Sequence, residues 1–301
     1  MLTRRHLLAT GLAGAAAAFF GALPAGFGAE PAVPDTAIKP RLRFSSWLNM
    51  VRGDLPEQIR WVESQGFEGF ELRGNIAKMH PLWKEALRTT HLKPTALDWS
   101  SLGLIVAGSA AERAASVDSL KAAIDTAGDL RTPNIIIVPP RLNAKLVLPD
   151  REGSLAIIRD VLGGLADRAA QAGTCMLIEP VGPKEVQCLN NVAESVAMCT
   201  SIGKPGVGIV FDFCKMIAVE PDLTAAVVAG APFIRQIHLS SRRRTMPGQE
   251  AEDAVKFTEG FRGLKQIGYQ GFCSYECGKM ETYQDQVPGS MEFLRTCWAK
   301  A

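Results

Sequence analysis

Gly206-Val-Gly-Ile-Val-Phe-Asp212 is a short apolar run with strand character that closes on a carboxylate. Three further runs share its form: Cys175-Met-Leu-Ile-Glu179 before it, and Ile234-Arg-Gln-Ile-His238 and Gly271-Phe-Cys-Ser-Tyr-Glu276 after it. The stretches between them are long enough for a helix and its loops, so the four runs read as successive parallel strands joined by crossover helices. In a closed parallel barrel, side chains at the carboxyl ends of neighbouring strands converge on one mouth. Three carboxylates and an imidazole gathered there repel one another unless a divalent cation sits among them. Glu179, Asp212, His238 and Glu276 are therefore expected to form a metal site.

The alternation of strand and helix extends over the whole of residues 41–301. Eight strands are expected, ending near Trp47, Leu72, Asp98, Val138, Glu179, Asp212, His238 and Glu276. Helix starts are marked by Asp54-Leu-Pro-Glu57, Ser109-Ala-Ala-Glu112 and Asn191-Val-Ala-Glu194, each a capping residue followed three positions later by Glu. Leu55, Ile59 and Val62 continue the first of these at helical spacing, and Gly66 stops it just before Phe67-Glu-Gly-Phe-Glu-Leu resumes a strand. An open doubly wound sheet would give the same alternation, but it would place a glycine-rich loop after the first strand. Here Phe44-Ser-Ser-Trp47 leads to Leu-Asn-Met. The expectation is an α/β chain forming a single (β/α)8 TIM barrel.

Composition agrees. The 301 residues are 47% hydrophobic, enough for one large core plus an extension. The formal charge of +2, from 33 basic and 31 acidic side chains, supplies no broad basic field for nucleic acid or an anionic bilayer, so a small partner is expected. Residues 1–29 carry Arg4-Arg5 ahead of an uncharged Ala/Gly-rich stretch, the anatomy of a twin-arginine-type export signal. Gly11, Gly14, Gly21, Pro24 and Gly26 make it a poor anchor helix, so cleavage between Ala25 and Ala32, no lasting membrane insertion and a periplasmic location are expected. Residues 30–40, with Pro31, Pro34 and Pro40, read as a tether. The seven cysteines are odd in number, lack framework spacing and lie in apolar patterns, so buried reduced thiols are expected. Cys273 and Cys277 flank Glu276, where strand alternation turns them away from its face.

Of the three histidines beyond the leader, His80 and His91 border a helical stretch and read as surface residues, while His238 closes a strand. The order Glu, Asp, His, Glu on strands five to eight resembles the xylose-isomerase-like barrels, which include sugar-phosphate isomerases, hydroxypyruvate isomerase and the ketose 3-epimerases. The resemblance covers roughly residues 42–298. Ketose 3-epimerases look nearest, since they carry a Glu six positions after the first ligand and an Arg six after the His; Glu185 and Arg244 stand at those places. Endonuclease IV relatives share the fold but need several more histidines.

The resemblance implies one bound Mn²⁺, or Mg²⁺ or Co²⁺, on Glu179, Asp212, His238 and Glu276, and it implies that copies of the chain pair. An oxygen-rich donor set suits those ions. The cation would stabilise the enediolate formed when a keto sugar loses an adjacent proton, with Glu179 and Glu276 as the acid/base pair on opposite sides of the substrate. Return of the proton to the other face gives epimerisation; return to the neighbouring carbon gives isomerisation. Glu185 and Arg244 would bind substrate oxygens. One departure matters: many relatives carry a His three residues after the Asp ligand, where this chain has Lys215. Lys215 is expected at the substrate, and with Arg242-Arg243-Arg244 it opens the possibility of an acidic substrate. It also keeps open a 3-keto-glycoside lyase or a dehydratase of keto sugars or keto-inositols (inososes), and beyond enzymes a non-catalytic carbohydrate-binding barrel.

Overall fold

The computed structural model describes residues 39–142, 147–278 and 281–301. The expected leader at 1–29 and nearly all of the expected tether lie outside the described residues. Eight parallel strands close into a barrel in sequence order: β1 (Phe44–Trp47), β2 (Gly69–Arg73), β3 (Lys93–Ser101), β4 (Asn134–Val138), β5 (Cys175–Ile178), β6 (Val207–Asp212), β7 (Ile234–Leu239) and β8 (Phe272–Tyr275). β8 pairs with β1, which completes the ring. The helices between them are α1 (Leu55–Ser64), α2 (Ile76–Ala86), α3 (Gly103–Ala107), α4 (Ala110–Asp129), α5 (Arg151–Gln171), α6 (Val192–Ile202), α7 (Phe213–Ile217), α8 (Leu223–Ala229) and α9 (Asp253–Gln266), with α10 (Tyr283–Lys300) last. No described helix is long and apolar enough to cross a membrane.

Local chemistry accounts for the helix starts. Asp54 and Ser109 each accept a bond from the backbone N–H three residues on, while Glu57 and Glu112 reach back to the capping residue's N–H, so two orphaned donors are satisfied at each end. Asn191 caps α6 through Glu194 N–H, but the Glu194 carboxylate accepts from Asn190 N–H, not from Asn191, and the same oxygen pairs with Arg151 at 2.9 Å. After α1, Gly66 takes φ +79°, the left-handed turn that releases the chain into β2. β3 runs three residues past the expected end at Asp98, following an irregular register against β4.

Two apolar layers position the mouth. The larger lies between strands and helices, with Ile135, Ile137, Ile178, Ile209 and Phe211 turned outward to meet residues such as Ile158, Leu162 and Val227. A small interior cluster of Ala96, Ile136, Cys175, Leu177 and Val210 fills the barrel itself. Alternation then carries each interior face upward: Cys175 and Leu177 lead to Glu179, and Val210 leads to Asp212. The polar ends thus stand on an apolar plug.

Candidate metal centre

The ends of β5 to β8 bring the four groups to one mouth. Asp212 pairs with His238 across β6 and β7, and His238 pairs with Ser274, two residues before Glu276. Glu179 N–H donates to Ile137 O at 3.0 Å and Glu276 N–H donates to Leu239 O at 3.1 Å, so both residues just past their strands remain fastened to a neighbour. One donor atom from each of Glu179, Asp212, His238 and Glu276 lies within 4.8 Å of the other three, and all four residues are buried. The sequence reading and the geometry therefore select the same quartet.

Each member has an oriented donor. Asp212 Oδ1 accepts from Cys214 N–H at 2.9 Å, capping α7, while its Oδ2 is buried with no hydrogen-bond partner among the described residues. His238 turns Nδ1 to the carboxylates, in contact with Glu276 Oε2 and 3.8 Å from Glu179 Oε1. Neither His238 Nδ1 nor Glu276 Oε2 makes a well-directed hydrogen bond. Burial, with Glu276 and Glu179 adding, pushes Asp212 far above the usual carboxylate range. For His238 burial opposes the charged ring, yet Glu71 and Glu276 outweigh it and hold the imidazole protonated. Burial also opposes ionisation of Glu276, and His238 and Arg244 overcome it. Protons thus sit where negative charge is in excess. Three carboxylate oxygens and one imidazole nitrogen within 4.8 Å of one another, with Asp212 Oδ2, His238 Nδ1 and Glu276 Oε2 lacking hydrogen-bond partners among the described residues, fit a divalent cation, which would displace those protons.

Arg244 bonds Glu276 Oε1 through Nη2 at 2.5 Å. Its backbone is left-handed, φ 61°, an unfavourable conformation for a non-glycine residue. Arg244 N–H donates to Ser241 O at 2.8 Å and Gly278 N–H donates to Arg244 O at 2.6 Å, which together hold that turn and aim the guanidinium into the mouth. Glu185 and Lys215 are brought together, and neither belongs to the quartet. Lys215 Nζ donates to both Glu185 oxygens, at 2.8 and 3.0 Å, and Arg141 Nη1 donates to Oε2 at 2.8 Å. Burial raises Glu185, but these two cations win and keep it ionised. His80 pairs with Asp129 at the surface and His91 is exposed, as expected. All seven cysteines are free and buried, and none belongs to the quartet.

Sequence reasoning left Glu71, Asp98, Trp47, Arg73 and Arg141 out of the candidate site. Glu71, on β2, is fully buried: its carboxylate accepts from Trp47 Nε1 at 2.5 Å and from Gln236 Nε2 at 2.7 Å, and Oε1 lies 3.2 Å from His238 Nε2. Asp98 pairs with Arg73 at 3.0 Å, and Arg73 stacks on Trp47 at 4.1 Å. Burial pushes Asp98 up to about 6, Arg73 working the other way and Glu276, Glu179 and Glu71 adding to the rise. Trp47, Arg73, Asp98 and Arg141 surround a cavity of about 270 Å³ together with Glu179, Glu276 and Arg244. Trp47 and Asp98 stand at or near expected strand ends, so the rule that found the quartet also pointed to them; Arg141 lies in a loop with no such signal.

A closed parallel barrel with a quartet of ligating side chains at its carboxyl-end mouth defines a TIM barrel with a candidate metal centre on its second half. Residues 59–297 match the family described as Xylose isomerase-like TIM barrel, and the chain belongs to that family. It is 24% identical over 262 residues to 3-dehydro-D-guloside 4-epimerase of Escherichia coli (strain K12), covering 80% of this chain and 94% of that one. It is 25% identical over 185 residues to ketose 3-epimerase of Arthrobacter globiformis, covering 62% and 63%. Among solved structures, that of 3-keto-D-glucoside 4-epimerase from E. coli in its apo form superposes with a TM-score of 0.76 at 21% identity, over 85% of this chain and all of that one. D-psicose 3-epimerase in the presence of D-fructose gives 0.72 at 19%, over 85% and 99%. These superpositions show the shared fold.

Proposed function

We propose that the protein is a divalent-metal-dependent sugar epimerase or isomerase that moves a proton beside the carbonyl of a keto sugar. The observation that carries this reading is the convergence of Glu179, Asp212, His238 and Glu276 within 4.8 Å at the end of four successive strands. Its relatives, named as sugar epimerases, support the same class.

A bound divalent cation supplies electrophilic stabilisation of the negative charge that develops on a substrate carbonyl oxygen. The chain's own residues do the rest. Glu179 and Glu276 extend from β5 and β8, which are not neighbours in the ring, and both line the 270 Å³ cavity; the family resemblance implies that they face opposite sides of a sugar bound there. One carboxylate takes the proton from the carbon next to the carbonyl; the other, carrying a proton, delivers it to the opposite face and leaves ionised. Inversion at that carbon is the net result, and exchange with solvent restores the starting protonation. Arg244 fixes Glu276 through its 2.5 Å bond and offers its remaining N–H groups to a substrate oxygen. Lys215, held by Glu185, does the same from the β6 side.

Export belongs to the same proposal: the leader at 1–29 carries the barrel to the periplasm, and N-terminal sequencing of the secreted form is expected to begin between Ala25 and Ala32. The enzymatic reading is tested by incubating the metal-loaded protein with keto sugars in D₂O and following deuterium incorporation by mass spectrometry. Incorporation by the wild type and its loss in Glu179→Gln and in Glu276→Gln are expected. Sugar binding without incorporation would make the barrel a binding protein, and release of an aglycone from a 3-keto-glycoside would assign elimination.

A further inference from the structure

A second cavity, of about 510 Å³, shares Arg244 with the cavity lined by Glu179 and Glu276. Its charged lining is Lys184, Lys215, Arg242, Arg243 and Arg244 against a single carboxylate, Glu185. The internal partners do not balance these cations. Arg244 is matched by Glu276, and Arg243 by Glu250 at 3.4 Å. Glu185, however, serves both Lys215 and Arg141, so one anion stands between two cations. Arg242 approaches Glu252 only at 3.9 Å and is 55% exposed, a pair too loose and too well solvated to neutralise it. Lys184 has no ion pair among the described residues. Lys215, by contrast, is 8% exposed, so a cation on the cavity floor is largely cut off from water.

The placement of these groups along the chain ties the cavity to the chemistry. Lys215 lies three residues after Asp212, and Arg242, Arg243 and Arg244 lie four to six after His238. Helix α7 after β6 and the loop after β7 therefore carry most of the basic wall, while Ala218 and Val219 give one side an apolar surface for the C–H face of a sugar. Arg244 lines both cavities, and Glu185 links Arg141 of the first to Lys215 of the second, so a substrate whose carbonyl lay at the quartet would direct its far end toward this cavity. Low-dielectric walls lined by one sign of charge concentrate the field there, and Arg forks with Lys point charges suit carboxylate and phosphate oxygens.

We infer that this cavity receives an anionic substituent, a carboxylate or a phosphate ester, at the end of the sugar remote from its carbonyl. The substrate is thus a keto-sugar acid or a keto-sugar phosphate in preference to a neutral ketose. This rests on the proposed reading of the metal centre. The test uses three keto sugars that differ only at the far carbon: D-fructose, D-fructuronate and D-fructose 6-phosphate, titrated calorimetrically into the Mn²⁺-loaded protein. At least one anion is expected to bind about tenfold or more tighter than fructose, roughly 1.4 kcal/mol, with a preference that shrinks as salt is raised. The identity of the tighter ligand tells carboxylate from phosphate. Replacing the two exposed cations together, Lys184→Gln with Arg242→Gln, should bring the ratio close to one. Equal binding of all three, no binding of either anion, or a preference that survives the double substitution would overturn the inference. Deuterium incorporation by the wild type separates the two claims: incorporation into fructose with no anion preference defeats the cavity alone, whereas an anion preference with no incorporation into any of the three supports the cavity and defeats the metal-centre reading.

Discussion

Glu71 receives Trp47 Nε1 and Gln236 Nε2 and lies 3.2 Å from His238 Nε2, the ring nitrogen turned away from the quartet. Nε2 makes no well-directed hydrogen bond there, but a carboxylate at that distance that accepted one would fix which nitrogen faces the cation and make it a better donor. Glu71→Gln is expected to weaken Mn²⁺ binding by about 10–100-fold with the circular dichroism spectrum unchanged; unaltered affinity would show that Glu71 does not orient His238. Asp212 and His238 hold protons that a cation must displace. Mn²⁺ affinity should therefore fall as pH is lowered, and calorimetry in two buffers of different ionisation enthalpy should report net proton release. The quartet was legible because each member ends an apolar run. Glu71 was not, because it sits inside β2 with Leu72 and Arg73 after it, and a strand-borne Glu without its partners reads as a solvated face.

At the scale of elements, capping chemistry and close approach make different demands. Asp54→Ala removes one exposed capping box from α1 and is expected to cost about 1 kcal/mol in urea unfolding. Gly206, at the entrance to β6, has no room for a side chain: a Cβ there would stand 1.9 Å from the backbone oxygen of Ala166 on α5. Gly206→Ala must displace α5 from β6, and a loss of about 1–3 kcal/mol or more is expected, larger than that at Asp54. The reverse order in the unfolding midpoints would contradict this packing account. Strands, helix starts and the stop at Gly66 were readable, since periodicity and caps are local. The overrun of β3 and the use of Glu194 by Arg151 were not, because both depend on neighbours brought close only by folding.

The whole molecule hides its thiols. Burial pushes Cys175, Cys199 and Cys214 up to about 12, so little thiolate exists near neutrality and iodoacetamide should label the native protein slowly at pH 8, with all seven cysteines reacting once it is unfolded. Rapid labelling of the folded form would mean that the described core opens. The barrel gathers groups from residues nearly a hundred positions apart, Glu179 to Glu276, into one mouth, and a cation that binds only the folded arrangement should also stabilise it. The most direct measurement is a calorimetric titration of the metal-free protein with Mn²⁺, beside Asp212→Asn and His238→Ala. One ion per chain, with binding lost or greatly weakened in both variants, is expected. No binding by the wild type, or equal binding by the variants, would contradict the assignment of the metal centre.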